Sequence, residues 1–364
     1  MTELAPAAAV KSILRPEVLA LSPYHVADSA GYIKLDAMEN PYAWPQAMVG
    51  EWLEQLRGCE PNRYPDPSAE ALKAIIRTCN AIPDSVQLLL GNGSDELIQI
   101  ILMAVAGGDA AVVAPEPTFV MYRHIARTLG LRFEPVLLRP DTFDLDMETM
   151  RDALLRFRPA VVFLAYPNNP TGNLFAAEDI VEILHLAPGL VVIDEAYAPF
   201  ADASFMPMLA DYDRLLVMRT VSKLGLAGLR LGFLAGAGAW IEQLDKLRLP
   251  YNINVLTQSS VEFALSRYEV LEEQARRICE DRTLLLDALN EIDDISVYPS
   301  CANFILFKLG QAAADAVHSA LKEQGILIKN MHPAGGALAN CLRVTVGTPA
   351  ENASFVEAIR GILS

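Results

Sequence analysis

Short apolar runs recur along the first two thirds of the chain, at 110–115, 160–165, 190–193, 215–218 and 231–235, separated by stretches of helical period. The runs do not alternate with polar residues, so a strand formed there must be buried on both faces, with the intervening helices as cover. A further β-like run at 85–90 leads into Gly91-Asn92-Gly93-Ser94-Asp95-Glu96 and a long apolar helix that stops at Gly107-Gly108. This pattern predicts an α/β fold with a mainly parallel sheet between helices. Beyond it, 243–289 is charged and helical in period. The remainder alternates at 303–307, 325–328 and 341–346 around a helix over 312–323, which predicts a smaller α+β domain. At 364 residues one large domain plus a smaller one is expected. The division is an N-terminal arm at 1–45, a large domain at 46–245, and a connecting helix with the small domain at 246–364. The arm, rich in Pro and Tyr and without periodicity, reads as extended and packed on the small domain or a partner subunit. Asp66 and Pro67 read as N-cap and first-turn proline of a helix over 68–79.

In such sheets functional residues gather beyond the strand C-terminal ends. Asp194 stands there after Ile193, Asn168 and Asn169 after Tyr166, and Ser222-Lys223 after Thr220. A lysine among apolar residues and glycines loses hydration of its ammonium, which lowers its pKa and favours Schiff-base formation. Asp194 follows an apolar run, where a bare carboxylate needs a cationic partner such as a protonated ring nitrogen. Arg230 offers a planar fork for phosphate and Ser222 a hydroxyl. The glycine turn before Ser94-Asp95 would aim helix N–H groups at an anion, although two glycines alone read equally as an ordinary strand-to-helix turn. Aldehyde, basic ring nitrogen and phosphate together describe pyridoxal phosphate.

Composition narrows the partners. A formal net charge of −16 argues against nucleic acid or an anionic membrane, and makes each basic residue in a motif more telling. Five scattered cysteines with no Cys-x-x-Cys pair suggest neither a disulfide framework nor a zinc ribbon, and fit a reduced, cytoplasmic setting. The five histidines lack metal spacing, no metal is expected, and no apolar run reaches the roughly 18 residues of a membrane span.

Asn169-Pro170-Thr171-Gly172, Asp194-Glu195-Ala196-Tyr197, Ser222-Lys223 and Gly228-Leu229-Arg230 resemble the motifs of fold-type-I pyridoxal-phosphate-dependent aminotransferases of class II. The histidinol-phosphate aminotransferases are the branch it most resembles, through Glu39-Asn40-Pro41-Tyr42, Asn62-Arg63-Tyr64-Pro65 and Cys341-Leu342-Arg343-Val344-Thr345-Val346 as well, in order over nearly the whole chain. The resemblance implies a seven-stranded, mainly parallel sheet and a catalytic set of Lys223, Asp194 and Tyr197. It implies that Lys223 carries the cofactor aldehyde, that Asp194 faces the ring nitrogen, and that Tyr197 and Asn169 share the phenolic oxygen. Phe119 would stack on the ring, while Ser94, Asp95, Ser222 and Arg230 would hold the phosphate. Tyr64 would reach that phosphate from the neighbouring subunit of a homodimer. For the substrates, a small-molecule amino donor and a 2-oxo acid acceptor, it implies Tyr24, Asn169, Lys329 and Arg343. Lys329 stands where the family commonly has arginine, which keeps the charge but not the bidentate geometry. Aromatic amino acid aminotransferase and phosphothreonine decarboxylase activities share this architecture and stay open. A non-catalytic regulator would need a DNA-binding domain ahead of the catalytic region, and the first 45 residues carry no helix-turn-helix pattern.

Overall fold

The structure, a computed structural model, describes residues 6–23 and 27–364. β1 (Ile33–Leu35) belongs to the smaller of two sheets. The larger contains β2 (Gln87–Gly91), β3 (Ala111–Glu116), β4 (Arg132–Leu137), β5 (Val161–Ala165), β6 (Leu190–Asp194), β7 (Leu215–Thr220) and β8 (Gly232–Gly236), in the order β2-β8-β7-β6-β5-β3-β4. All its pairings are parallel except those of β8, which runs against both neighbours. The unalternating runs have the expected cause. Along β6, Val191 and Ile193 enter the core on one face while Leu190 and Val192 enter the core on the other. Helix Ser94–Val105 covers the second face with Leu97, Ile98 and Ile101.

The smaller sheet adds β9 (Ile295–Val297), β10 (Phe304–Leu309), β11 (Ile326–Asn330) and β12 (Cys341–Thr345), in the order β1-β11-β12-β10-β9. Phe304, Phe307 and Phe355 fill its core. Helix Pro349–Leu363 closes this unit and starts with a reciprocal cap between Thr348 and Glu351.

Several expectations fail locally. The segment ahead of residue 45 is not an uninterrupted extended arm: it holds helices Pro6–Ile13 and Pro16–Leu19, and its β1 pairs in parallel with β11. The helix assigned to 68–79 starts at Glu70, behind Ala69 in a left-handed conformation. Asp66 accepts from the Ser68 N–H and hydroxyl, closing a turn ahead of the helix rather than standing at its N-cap position. The stretch 243–289 is helical as expected, in three helices, Gly238–Asp245, Val255–Leu265 and Tyr268–Asn290, separated around Pro250 and at Ser266-Arg267. Edge strand β4 has no counterpart among the apolar runs, because its Glu134 and Pro135 interrupt the pattern and only Val136 is fully buried. Among the described residues no helix is long and apolar enough to cross a membrane.

Candidate active site

β5, β6 and β7 are neighbours in the larger sheet, so the residues beyond their ends converge. A cavity of about 560 Å³ opens there. It is lined by Lys223, Asp194, Tyr197, Asn169, Phe119, Ser94, Asp95, Ser222 and Arg230.

Lys223 sits in a wide helical turn, Ser222–Leu226, interrupted by Gly225 at φ 115°. A side chain at Gly225 would meet the Asn40 amide at 2.8 Å, so the turn can close on Asn40 only as glycine. Lys223 Nζ donates to the Ala37 carbonyl at 3.2 Å and lies over the Tyr197 ring. Burial, aided by the Arg343 guanidinium, brings its amine down to about 8. Asp194 is 4% exposed. Desolvation pushes its carboxyl up to about 6, against the hydrogen bonds from the Tyr122 hydroxyl (2.6 Å) and the Ala196 N–H (3.1 Å) that favour the ionised form.

One end of the cavity is built for an anion. Helix Ser94–Val105 starts at Gly93, φ 83°, with no side-chain cap, so its first N–H groups are left to a ligand or water. The Arg230 side chain passes so close to Gly93 that a Cβ there would lie 2.6 Å from its Nη2. Arg230 itself adopts φ 50°, and its Nη1 donates to the Ser222 hydroxyl at 3.2 Å. Its contact with Asp95, 3.7 Å between half-exposed groups, is weak.

Asn169 links this pocket to the smaller sheet. Its Nδ2 donates to the Tyr197 hydroxyl at 3.0 Å, and its Oδ1 accepts from Arg343 Nη1 at 2.5 Å. Arg343, buried on β12, also donates to the Asp36 carbonyl, and Lys329 of β11 lies directly across the ladder from it. Residues directly opposite in a ladder share a face, so Lys329 and Arg343 stand on one face of the smaller sheet, with Arg343 tied to Asn169. Tyr64 stands apart from the cavity, 80% exposed and stacked on Tyr251. Tyr24 lies outside the described residues.

Sequence reasoning missed Tyr122, and it read the segment after β1 only as a motif of the resemblance, Glu39-Asn40-Pro41-Tyr42, with no role in the site. The only local signal for Tyr122 is its spacing three residues after Phe119, which places both rings on one helical face. Ala37, Met38 and Asn40 had no signal as partners of the lysine turn, because their contacts reach to Thr345, Leu224 and Gln274.

The donor set fits pyridoxal phosphate: an uncapped helix start and a guanidinium for a phosphate, a buried carboxylate in need of a cation, and a poorly hydrated amine for an aldehyde. The comparisons agree. The chain is 57% identical over 95% of its length to histidinol-phosphate aminotransferase 2 of Nitrosococcus oceani, covering 96% of that protein. It is 49% identical over 96% of its length to histidinol-phosphate aminotransferase 1 of Ralstonia nicotianae, covering 94% of it. The crystal structure of histidinol-phosphate aminotransferase from Sinorhizobium meliloti in complex with pyridoxal-5'-phosphate shares the fold at a TM-score of 0.86 and 24% identity, over 97% of this chain and 98% of that one. The family profile for aminotransferase class I and II matches residues 30–359, a span that holds both sheets and every strand end around the cavity, and the chain belongs to that family.

Proposed function

We propose that the chain is a pyridoxal-phosphate-dependent aminotransferase of L-histidine biosynthesis, working in the cytoplasm. It would pass the amino group of L-histidinol phosphate to 2-oxoglutarate, giving imidazole acetol phosphate and L-glutamate. The observation that carries it is one cavity lined by the Lys223 amine and the buried Asp194 carboxylate, next to an uncapped helix start. The two relatives above support the choice of substrate.

When bound, the cofactor supplies an aldehyde that takes up the amino group and a protonated ring that accepts electrons from the substrate α-carbon. The protein residues do the rest. Ser222, Arg230 and the N–H groups of Ser94 and Asp95 grip the phosphate. Asp194 would hold the proton on the ring nitrogen, Phe119 would stack on the ring, and Tyr197 with Asn169 would fix the phenolic oxygen. Lys223 would hold the aldehyde, and its freed Nζ would accept the proton leaving the substrate α-carbon. Burial lowers the pKa of this amine, which favours the neutral form that role requires.

Arg343 and Lys329 receive the anionic end of the substrate: the phosphate of histidinol phosphate in one half-reaction, a carboxylate of glutamate in the other. Their opposed positions on β11 and β12, and the tie from Arg343 to Asn169, support that role. Tyr24 completes the substrate contact. The reading includes a homodimer in which Tyr64 reaches the partner's phosphate site, supported by its exposure away from its own cavity. It also keeps the arm, large domain and small domain at 1–45, 46–245 and 246–364.

A visible absorbance band should appear with the cofactor and vanish in Lys223→Ala, whose turnover falls about a thousandfold or more. A colourless protein that does not respond to added pyridoxal phosphate would refute the assignment. Single-turnover rates settle the substrate: phenylalanine or phosphothreonine reacting more than roughly tenfold faster than histidinol phosphate, about 1.4 kcal/mol of transition-state preference, would replace it.

A further inference from the structure

Tyr122 is the largest polar side chain sealed behind the cavity wall. It is fully buried, and its ring stacks on Phe163 of β5 with centroids 4.6 Å apart and planes 8° apart. Edge-on it meets Phe119 at 5.6 Å. Packing on two sides leaves the ring one orientation, and in it the hydroxyl donates to Asp194 Oδ2 at 2.6 Å. Phe119 and Tyr122 lie three residues apart, so one helical turn supplies both a wall of the cavity and the donor behind its carboxylate.

Asp194 has few other friends of its ionised form. Asp95 faces it from the start of helix Ser94–Val105, and Glu195 follows it in the chain; both are like charges. Tyr197 lies beyond, and Lys223 and Arg230 line the same cavity from the turn after β7. Besides the Tyr122 hydroxyl, the Ala196 N–H is the donor recorded on this carboxylate, and it takes the other oxygen. A hydrogen bond to a charged acceptor in a dry site is among the strong ones.

Resting on the cofactor assignment above, we propose that Tyr122 is a positioning residue: its hydroxyl holds Asp194 ionised and turned so that the remaining lone pairs face the cavity, where the ring nitrogen is received. The aromatic wall and the charge behind it then move as one unit. Tyr122 touches neither substrate nor cofactor in this role and acts only through Asp194.

Tyr122→Phe removes the hydroxyl and keeps the packed ring. The direct readout is an infrared titration of the cofactor-free enzyme, with Asp194→Asn subtracted so that one carboxyl is followed. The Asp194 midpoint should rise by about one pH unit in Tyr122→Phe, the loss expected for one hydrogen bond to a charged group. In the loaded enzyme the acid limb of the kcat/KM profile should rise with it. Incorporation of 3-fluorotyrosine at position 122 keeps the ring and strengthens the donor, so the midpoint should fall; this arm decides the matter if Tyr122→Phe does not fold. A midpoint that stays put in both variants overturns the proposal. A wild-type protein that never develops the visible band overturns the cofactor assignment, and with it the ring-nitrogen part of this proposal. An unmoved midpoint in a protein that does develop the band overturns the role of Tyr122 alone.

Discussion

At the scale of single residues the site is held in a form unfavourable to the empty protein. Asp194 has its carboxyl pushed up to about 6 by burial, from an ordinary value of 3.8. Between about pH 4 and 6 the folded chain therefore binds more protons than the unfolded one, so stability falls as pH rises through that window. Above it the full penalty is present, on the order of 3 kcal/mol for a shift of this size. Asp194→Asn removes the charge, and its amide oxygen can still accept from Tyr122. In cofactor-free protein the variant should melt higher than wild type at pH 7, with the gap closing toward pH 4. With saturating pyridoxal phosphate the order should reverse, because only the carboxylate pairs with a ring cation. Thermal melts at pH 4.5 and 7, with and without cofactor, check both halves; an empty variant less stable than wild type at pH 7 would contradict the account. Lys223 strains the fold in the same sense: with its amine lowered to about 8, its contribution is unfavourable below that pH and relaxes as pH rises toward 10.5.

At the scale of elements, the anion site depends on how closely β8 approaches the start of helix Ser94–Val105. A Cβ on Gly232 would stand 2.8 Å from the Gly93 carbonyl carbon and the Ser94 nitrogen, both backbone atoms that cannot turn aside. Gly232→Ala must therefore push the helix start away from Arg230 and Ser222. Losing one charge-assisted hydrogen bond predicts cofactor binding weaker by about tenfold or more. Gly228→Ala, where nothing lies within 4 Å, is the control and should bind as wild type does. Titrating cofactor-free protein while following the visible band measures both, and equal affinities would disprove the close-approach argument. The same elements show what a sequence exposes. The buried parallel strands were legible because burial on both faces leaves unbroken apolar runs, as along β6, and their polar ends stood out against them. β4 was not, since an edge strand with one buried residue has no such run. Tyr122 was not, because its partner is 72 residues away and nothing local marks a hydrogen bond across a sheet. The contacts of Asn40 and Ala37 escaped for the same reason: turn-rich segments acquire partners only when two sheets come together around them.

At the scale of the whole molecule, the question is where Tyr64 acts. It is 80% exposed and stacked on Tyr251, an aromatic pair at the surface of a chain of net charge −16. In the homodimer proposed above, two such chains would repel at long range, and apolar contact of this kind would have to offset that. If Tyr64 reaches the partner's phosphate site, each cavity draws Lys223 from one chain and Tyr64 from the other. Lys223→Ala alone abolishes both sites of a dimer, and Tyr64→Ala weakens both, by about tenfold or more at limiting cofactor. In a mixed dimer, prepared with two affinity tags, the Tyr64→Ala chain still carries Lys223 and borrows an intact Tyr64 from its Lys223→Ala partner. One wild-type site is thereby rebuilt, and about half the wild-type activity per dimer should return at limiting cofactor. Were Tyr64 to serve its own chain, the mixed dimer would hold one weakened and one dead site and regain nothing over the average of its parents. That contrast needs no assumption about which substrate is turned over, so it tests the shared site apart from the chemistry.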